Sequence, residues 1–357
     1  MSDAPPFESL IQSLQIQAAV CGRMASPFSE AILGAAARDV ASGGPTRLLL
    51  DRWAAASTRD LMADAVPLRL LGALHDLALS GDDVALARAY PSADRAGDAE
   101  AAWSAALAAM AASPERLARF MDHEPQTNEV RRSACLLGGF LQVAAETRLP
   151  IRLFEIGASA GLNQLWDRYA YRLGEAGTWG PSGSPVEIPT DWRGPPPALD
   201  AKVAVIERAA CDRKPVDLAD PVARRRLRAY VWADQIDRLE RLDAAAALAR
   251  DAGTAVEAED AVAWTGRRVA GQPGAVTVLF HSVFWQYMPP ESQAALAALI
   301  QDIGARATAE APFAWLRMEP PQTDMATMEV RLTLWPGGED RRLATVHPHG
   351  AWVAWDG

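Results

Sequence analysis

The chain has 357 residues, half of them hydrophobic and 22% charged, enough to bury a large core in one domain or two. Its net charge of -10 argues against a general nucleic-acid-binding or anionic-membrane-binding surface. Its three cysteines, Cys21, Cys135 and Cys211, lie far apart without a C-x-x-C pair, which argues against a disulfide framework or a zinc ribbon.

The start of the chain, MSDAPPFESL, lacks the basic segment and apolar core of a signal peptide. No apolar run is long enough to span a bilayer. Together with the cysteine usage, this gives the expectation of a soluble, cytoplasmic protein.

Residues 7–150 read as helix after helix. Phe7, Leu10, Ile11, Leu14, Ala18 and Cys21 recur at the spacing of one helical face. Ser26-Pro27 opens a second helix and Gly43-Gly44 closes it. Further helices are expected at about 46–79, 98–122 and 129–147. The expected division is an α-helical domain or cap at 1–149 and an α/β domain at 150–357.

The texture changes at Pro150. Residues 151–156 (IRLFEI) read as a strand, followed at once by a glycine loop. Leu162 to Leu173 read as helix, and 174–198, rich in Gly, Pro, Ser and Trp, as a long ordered loop. Strands are expected at Lys202 to Cys211, Thr254 to Glu259, Val276 to Phe280 and Phe313 to Met318. Helices are expected at about 221–251 and 291–304. The run Arg224-Arg225-Arg226 reads as a solvated helix face. Glu329 to Leu334 and Leu343 to Trp355 read as a hairpin across Pro336-Gly337-Gly338. The alternation implies a mostly parallel sheet with helices on both faces and antiparallel strands at one edge.

The loop Gly157-Ala158-Ser159-Ala160-Gly161 matches G-x-S-x-G, in which Ser159 would be a nucleophile. No HGGG-type segment precedes it, and the loop follows the first strand rather than several. A dinucleotide fingerprint is absent, because Ser159 stands where G-x-G-x-x-G requires glycine. A tight strand-to-helix turn without a ligand is the bland alternative.

The stretch from Glu155 to Gly161, an acid at a strand end followed by a glycine loop, resembles the first motif of class I S-adenosylmethionine-dependent methyltransferases. The resemblance covers about 150–357. It implies a Rossmann-like sheet closed by an antiparallel last strand, with S-adenosylmethionine bound near Glu155, Gly157, Ala158, Ser159, Gly161 and Asn163. It also implies a ribose-binding acid at the second strand end, where Asp212 stands, with Glu207 as competitor. Asp212 follows Gly161 by an unusually long interval. Asp260, with Glu259 next, takes the place of the adenine-side acid, and a surface acidic pair is the alternative there. The segment after the fourth strand places His281, as general base, and Ser282, Trp285, Gln286 and Tyr287 around the methyl group and its acceptor. Asn163 is open to a second role as a helix cap.

Over nearly its whole length the chain also resembles a bacterial family of uncharacterised proteins, through QTNEV, GASAGLNQLWDRYAYRLG, DWRGPPP and HSVFWQY. Just before the last front helix, Thr127 is a candidate cap, while Asn128, Glu129 and Arg132 are acceptor-side candidates. His347-Pro348-His349 reads as a turn, and no metal site is expected. The expected activity is methyl transfer to a small-molecule acceptor. The alternatives are a non-catalytic S-adenosylmethionine- or nucleotide-binding or regulatory protein, and a hydrolase using Ser159.

Overall fold

A computed structural model describes residues 7–321 and 327–357; residues 1–6, which carry part of the no-leader expectation, lie outside the described residues. The first part of the chain forms α1 (Glu8–Arg23), α2 (Pro27–Ser42), α3 (Pro45–Leu49), α4 (Thr58–Ala63), α5 (Val66–Ser80), α6 (Val84–Ala89), α7 (Ala99–Ala112) and α8 (Pro114–Met121). α1 buries Leu10, Leu14, Ala18 and Cys21, the face its spacing dictates. The single stretch expected at 46–79 is instead broken into pieces. Ser57 caps α4 by accepting from the Asp60 amide, and α5 starts afresh at Val66-Pro67 after Ala65 turns left-handed at φ 51°.

α9 (Arg132–Thr147) leads into β1 (Ile151–Ile156). Then come β2 (Ala170–Arg172), β3 (Thr178–Trp179), β4 (Glu187–Pro189), β5 (Asp191–Arg193) and β6 (Val205–Asp212). α10 (Pro221–Ala229), α11 (Ile236–Asp251), β7 (Glu257–Ala258), α12 (Ala261–Arg268), β8 (Val276–Ser282) and α13 (Pro290–Ala305) follow. The chain ends in β9 (Phe313–Glu319), β10 (Met328–Trp335), β11 (Glu339–Val346) and β12 (Trp352–Trp355).

The chain divides into two compact units. One takes the residues up to Thr127 together with Ala219–Asp243; the other takes Asn128–Leu218 and Ala244–Gly357. This differs from the expected boundary at 149/150 on two counts. α9 belongs with the sheet, because Gly138 and Gly139 leave room for Trp355 and Leu316 to press against its backbone. The 219–243 segment belongs with the helices, because Ala229, Tyr230 and Ala233 are part of their core. Asp234 fastens it there, accepting from Ser26 Oγ (2.5 Å) and the Phe28 amide (2.9 Å).

The second unit is built on a nine-stranded sheet in the order β5-β12-β11-β10-β9-β8-β1-β6-β7. β7, β6, β1, β8 and β9 run parallel. Numbered along the chain, these five stand in the spatial order 3-2-1-4-5, the doubly wound pattern, with its reversal between β1 and β8. The antiparallel edge is larger than the expected hairpin. The stretch Leu343 to Trp355 breaks at 347–351, so that β10, β11 and β12 form a meander, and β5 pairs parallel to β12. One face of the sheet packs on α9, where Phe140 meets Phe280. The other face carries Phe154, Leu279 and Phe313 against Trp264 of α12 and Ile300 of α13.

The helix expected at Leu162 to Leu173 does not form. Leu162–Arg168 is a 3-10 stretch with non-helical geometry at Leu165, and β2 follows. Tyr169 and Tyr171 donate their hydroxyls to the Leu162 and Trp166 carbonyls, folding the segment back on itself. Trp166 stacks between Phe140 and Trp179. Tertiary packing overrides local propensity here. The 174–198 stretch, expected as a loop, supplies β3 and β4 to a small sheet with β2, and β5 to the large one.

Candidate functional site

In a doubly wound sheet, ligands bind beyond the carboxyl ends of the strands where the strand order reverses. That place lies between the loop after β1 and the loop after β8. Both loops contain a non-glycine residue in the left-handed region, Ser159 at φ 53° and Val283 at φ 53°. Val283 is β-branched, so its conformation is costly and is held by the surroundings.

Glu155, one residue before the end of β1, is buried, and its Oε2 has no hydrogen-bond partner. Burial, with the nearby negative charge of Asp212, pushes its carboxyl well above the usual range. Asp212 ends the adjacent β6. Its Oδ2 accepts from the Ser159 amide (2.9 Å) and its Oδ1 from the Lys214 amide (2.8 Å). A carboxylate has about four acceptor positions, so two remain open. Glu207 is at the other end of the same strand, paired with Arg152 at 2.6 Å. Asp212, not Glu207, is the acid beside the glycine loop.

The loop itself is tightly tied. Ala158 donates to the Cys211 carbonyl (3.0 Å), Gly161 to the Ala158 carbonyl (2.7 Å) and Val216 to the Ser159 carbonyl (3.1 Å). Asn128 Oδ1 accepts from the Leu162 amide (2.9 Å), and Asn163 Nδ2 donates to the Glu129 carbonyl (3.4 Å). The segment before α9 therefore does reach the glycine loop. Ser159 Oγ, Asn163 Oδ1 and Gln164 Nε2 are buried without partners. Ser159 Oγ has no base bonded to it, as a nucleophile pair would require.

Gly157 adopts φ +64°, and a side chain there would meet not open space but the ring of Phe284, 2.0 Å from Cδ2. The close approach expected of a cofactor is made by the protein's own aromatic ring.

His281, expected as the general base, is fully buried and engaged at both nitrogens. Its Nδ1 faces Glu319 Oε1 at 2.7 Å, and the Trp315 indole donates to its Nε2 at 3.1 Å. An indole N–H can only donate, so Nε2 is the acceptor and Nδ1 carries the proton to Glu319. That leaves no ring nitrogen to take a proton from a substrate. Glu319 is the residue sequence reasoning missed. Its Oε1 also accepts from the amides of Phe284 (2.9 Å) and Trp285 (3.2 Å), while its Oε2 is buried without a partner. Its position as the last residue of β9 is local, but the partners that give it a role lie on β8 and the loop after it.

The other candidates scatter. Trp285 stacks on His281 with ring centroids 5.6 Å apart. Gln286 and Tyr287 are exposed. Arg132 donates to the Pro348 carbonyl (3.1 Å), in the turn between β11 and β12. Thr127 is not the cap of α9, which begins only at Arg132. Asp260 caps α12 through the amides of Val262 and Ala263. Glu259 pairs with Arg267. No group of three or more His, Cys, Asp or Glu side chains could hold a metal among the described residues, and no described helix is long and apolar enough to cross a membrane.

Fold and site together define an α/β protein with buried, partly unsatisfied polar groups at the reversal point of its sheet. The chain matches, over residues 12–355, a family described as an uncharacterized protein conserved in bacteria (DUF2332), and it belongs to that family. No curated protein and no solved structure matches it.

Proposed function

We propose that the sheet unit is a class I methyltransferase-like domain that binds S-adenosylmethionine at the β1/β8 crevice and directs its methyl group to a small-molecule nucleophile. One observation carries this reading. Glu155 and Asp212 stand at the carboxyl ends of adjacent parallel strands, beside a strained loop and the 3-10 stretch after it, where buried Ser159 Oγ, Asn163 Oδ1 and Gln164 Nε2 lack partners. Burying such atoms unpaired costs about 1–3 kcal/mol each, a cost that a polar ligand would relieve.

The donor set fits an adenosyl ligand. Asp212 keeps acceptor positions for paired hydroxyls, while Ser159, Asn163 and Gln164 offer both donors and acceptors. When bound, S-adenosylmethionine supplies an electrophilic methyl group on a sulfonium. The chain's own contribution is then to align the acceptor and exclude water.

A second reading, binding without turnover, is favoured by His281, whose Nε2 is held by Trp315 and offers no base. Calorimetry with S-adenosylmethionine and S-adenosylhomocysteine tests the cofactor assignment. One-to-one binding is expected, weakened at least about tenfold by Asp212→Asn, and the absence of heat at millimolar ligand would overturn it. With binding in hand, turnover in a screen of labelled methyl acceptors separates catalysis from sensing.

A further inference from the structure

We propose that Glu319 is a positioning residue that sets the Phe284 ring as a plug over Gly157, so that the crevice admits an adenosyl ligand only when that ring swings out. The inference rests on the cofactor reading above and adds to it an element that reading does not contain.

The ring stands where a ligand must come. A Cβ built on Gly157 would lie 2.0 Å from Phe284 Cδ2 and 2.4 Å from Cγ, so ring and loop backbone are in direct contact. The ring is not locked in a core. Phe284 is half-buried, packed at the margin of the α12–α13 side of the sheet, with its ring at a steep angle to that of His281.

What holds the ring is the backbone beneath it, and that backbone is strained. Val283 is left-handed and fastened through its amide to the Met318 carbonyl (2.8 Å). The next two amides, Phe284 and Trp285, both donate to Glu319 Oε1. That oxygen is itself aimed by His281 Nδ1, whose ring is pinned from behind by Trp315. One carboxylate oxygen thus brackets two successive amides and fixes the direction in which Phe284 leaves the chain. Downstream, Gln293 Nε2 donates to the Trp285 and Met288 carbonyls (3.0 Å each), so the segment between strand and helix is short and tied at both ends. Such an element has few arrangements open to it, and a ligand that requires the less populated one binds with its affinity reduced by that population.

The substitutions separate positioning from bulk stability. Glu319→Gln keeps an sp² oxygen that can accept all three hydrogen bonds, whereas Glu319→Ala removes the bracket. Phe284→Ala removes the plug and leaves the bracket intact. Stopped-flow binding of S-adenosylhomocysteine, read by tryptophan fluorescence, is expected to show a rate that saturates with ligand concentration in the wild type. In Phe284→Ala the rate should rise linearly and the affinity tighten by about tenfold or more. Glu319→Gln should follow the wild type within about twofold, and Glu319→Ala should follow Phe284→Ala. In the ligand-free protein, hydrogen exchange at the Phe284 and Trp285 amides should speed up at least about tenfold in Glu319→Ala but not in Glu319→Gln. If Glu319→Ala does not fold, Phe284→Ala and Glu319→Gln decide the matter. Equal affinities and on-rates for wild type and Phe284→Ala would overturn the plug while leaving the cofactor reading intact. Glu319→Gln behaving like Phe284→Ala would overturn the role of Glu319. No binding by either wild type or Phe284→Ala would remove the cofactor reading and the plug with it.

Discussion

In the helical unit, Asp234 accepts from Ser26 and Phe28, His75 Nδ1 donates to the Ala229 and Val231 carbonyls, and Arg69 reaches Asp64 and the Met121 carbonyl. In the sheet unit, Glu155, Ser159, Asn163, Gln164 and Glu319 each leave a buried polar atom without a partner near the carboxyl ends of the strands. Among the described residues, the buried partnerless atoms of the helical unit are of another kind, the Nε atoms of Arg226, Arg228, Arg238 and Arg241, the last three of which pair through other nitrogens. Buried polar groups are ordinarily satisfied. In one unit the buried acceptors and donors named above hold the fold together, and in the other several near the glycine loop and the end of β9 stay unpaired. Under the proposed function, the difference separates polar groups that serve the fold from polar groups that a ligand would satisfy.

Three substitutions test that contrast. The largest effect is expected in the helical unit. His75→Ala leaves two buried carbonyls unpaired and removes a ring stacked on Tyr90, and should cost about 3 kcal/mol in urea denaturation. His75 also gives this unit a pH dependence, because burial pushes its imidazole down to about 4 from the ordinary 6.5. Below 6.5 the unfolded chain binds a proton that the folded one refuses, so stability should fall between pH 6.5 and 4. That loss should be absent in His75→Ala, and a variant with the wild-type acid profile would break the assignment.

Next comes Gly157→Ala, expected to cost about 2 kcal/mol from left-handed strain and the displaced Phe284 ring. Much of this should be recovered in the double variant with Phe284→Ala, and strict additivity would show that the ring is not the obstacle. Smallest is Glu155→Gln. No hydrogen bond to Glu155 is lost, so the variant should be at least as stable as wild type at pH 8, within about 1 kcal/mol. The sign is opposite to that of His75. Glu155 titrates well above its ordinary 4.5, so the folded state holds a proton that the unfolded state releases, and stability declines as pH rises through that window. Glu155→Gln should flatten that decline. A clear loss of stability at every pH would instead make Glu155 a structural group like those of the helical unit.

The strands nearest the site were the most legible elements in the sequence, because β1 and β8 are almost wholly buried and read as apolar runs with chemistry-bearing residues near their ends. The glycine loop and Asp212 follow from the same logic. The segment after the loop was illegible, since a helical pattern at 162–173 is undone by two tyrosine hydroxyls and a stacked tryptophan whose partners lie elsewhere in the chain. Glu319 was hidden for a similar reason. Its meaning lies in His281, Phe284 and Trp285, more than thirty positions earlier, and no local spacing announces a carboxylate that accepts from a neighbouring strand and the loop after it. The place of 219–243 with the helices likewise depends on contacts of Asp234 that span some two hundred residues.

The pairing of β5 with β12 also governs the order in which the protein can be completed as it is made. Asp191–Arg193 emerges from the ribosome long before its partner, Trp352–Trp355. The helical core similarly waits for Tyr230 and Ala233, which are synthesised after β1 and β6. Neither unit can be finished as a continuous stretch of nascent chain. A polypeptide truncated even a few residues short of Trp352 would leave β5 without its neighbour and the outer edge of the sheet open to strangers.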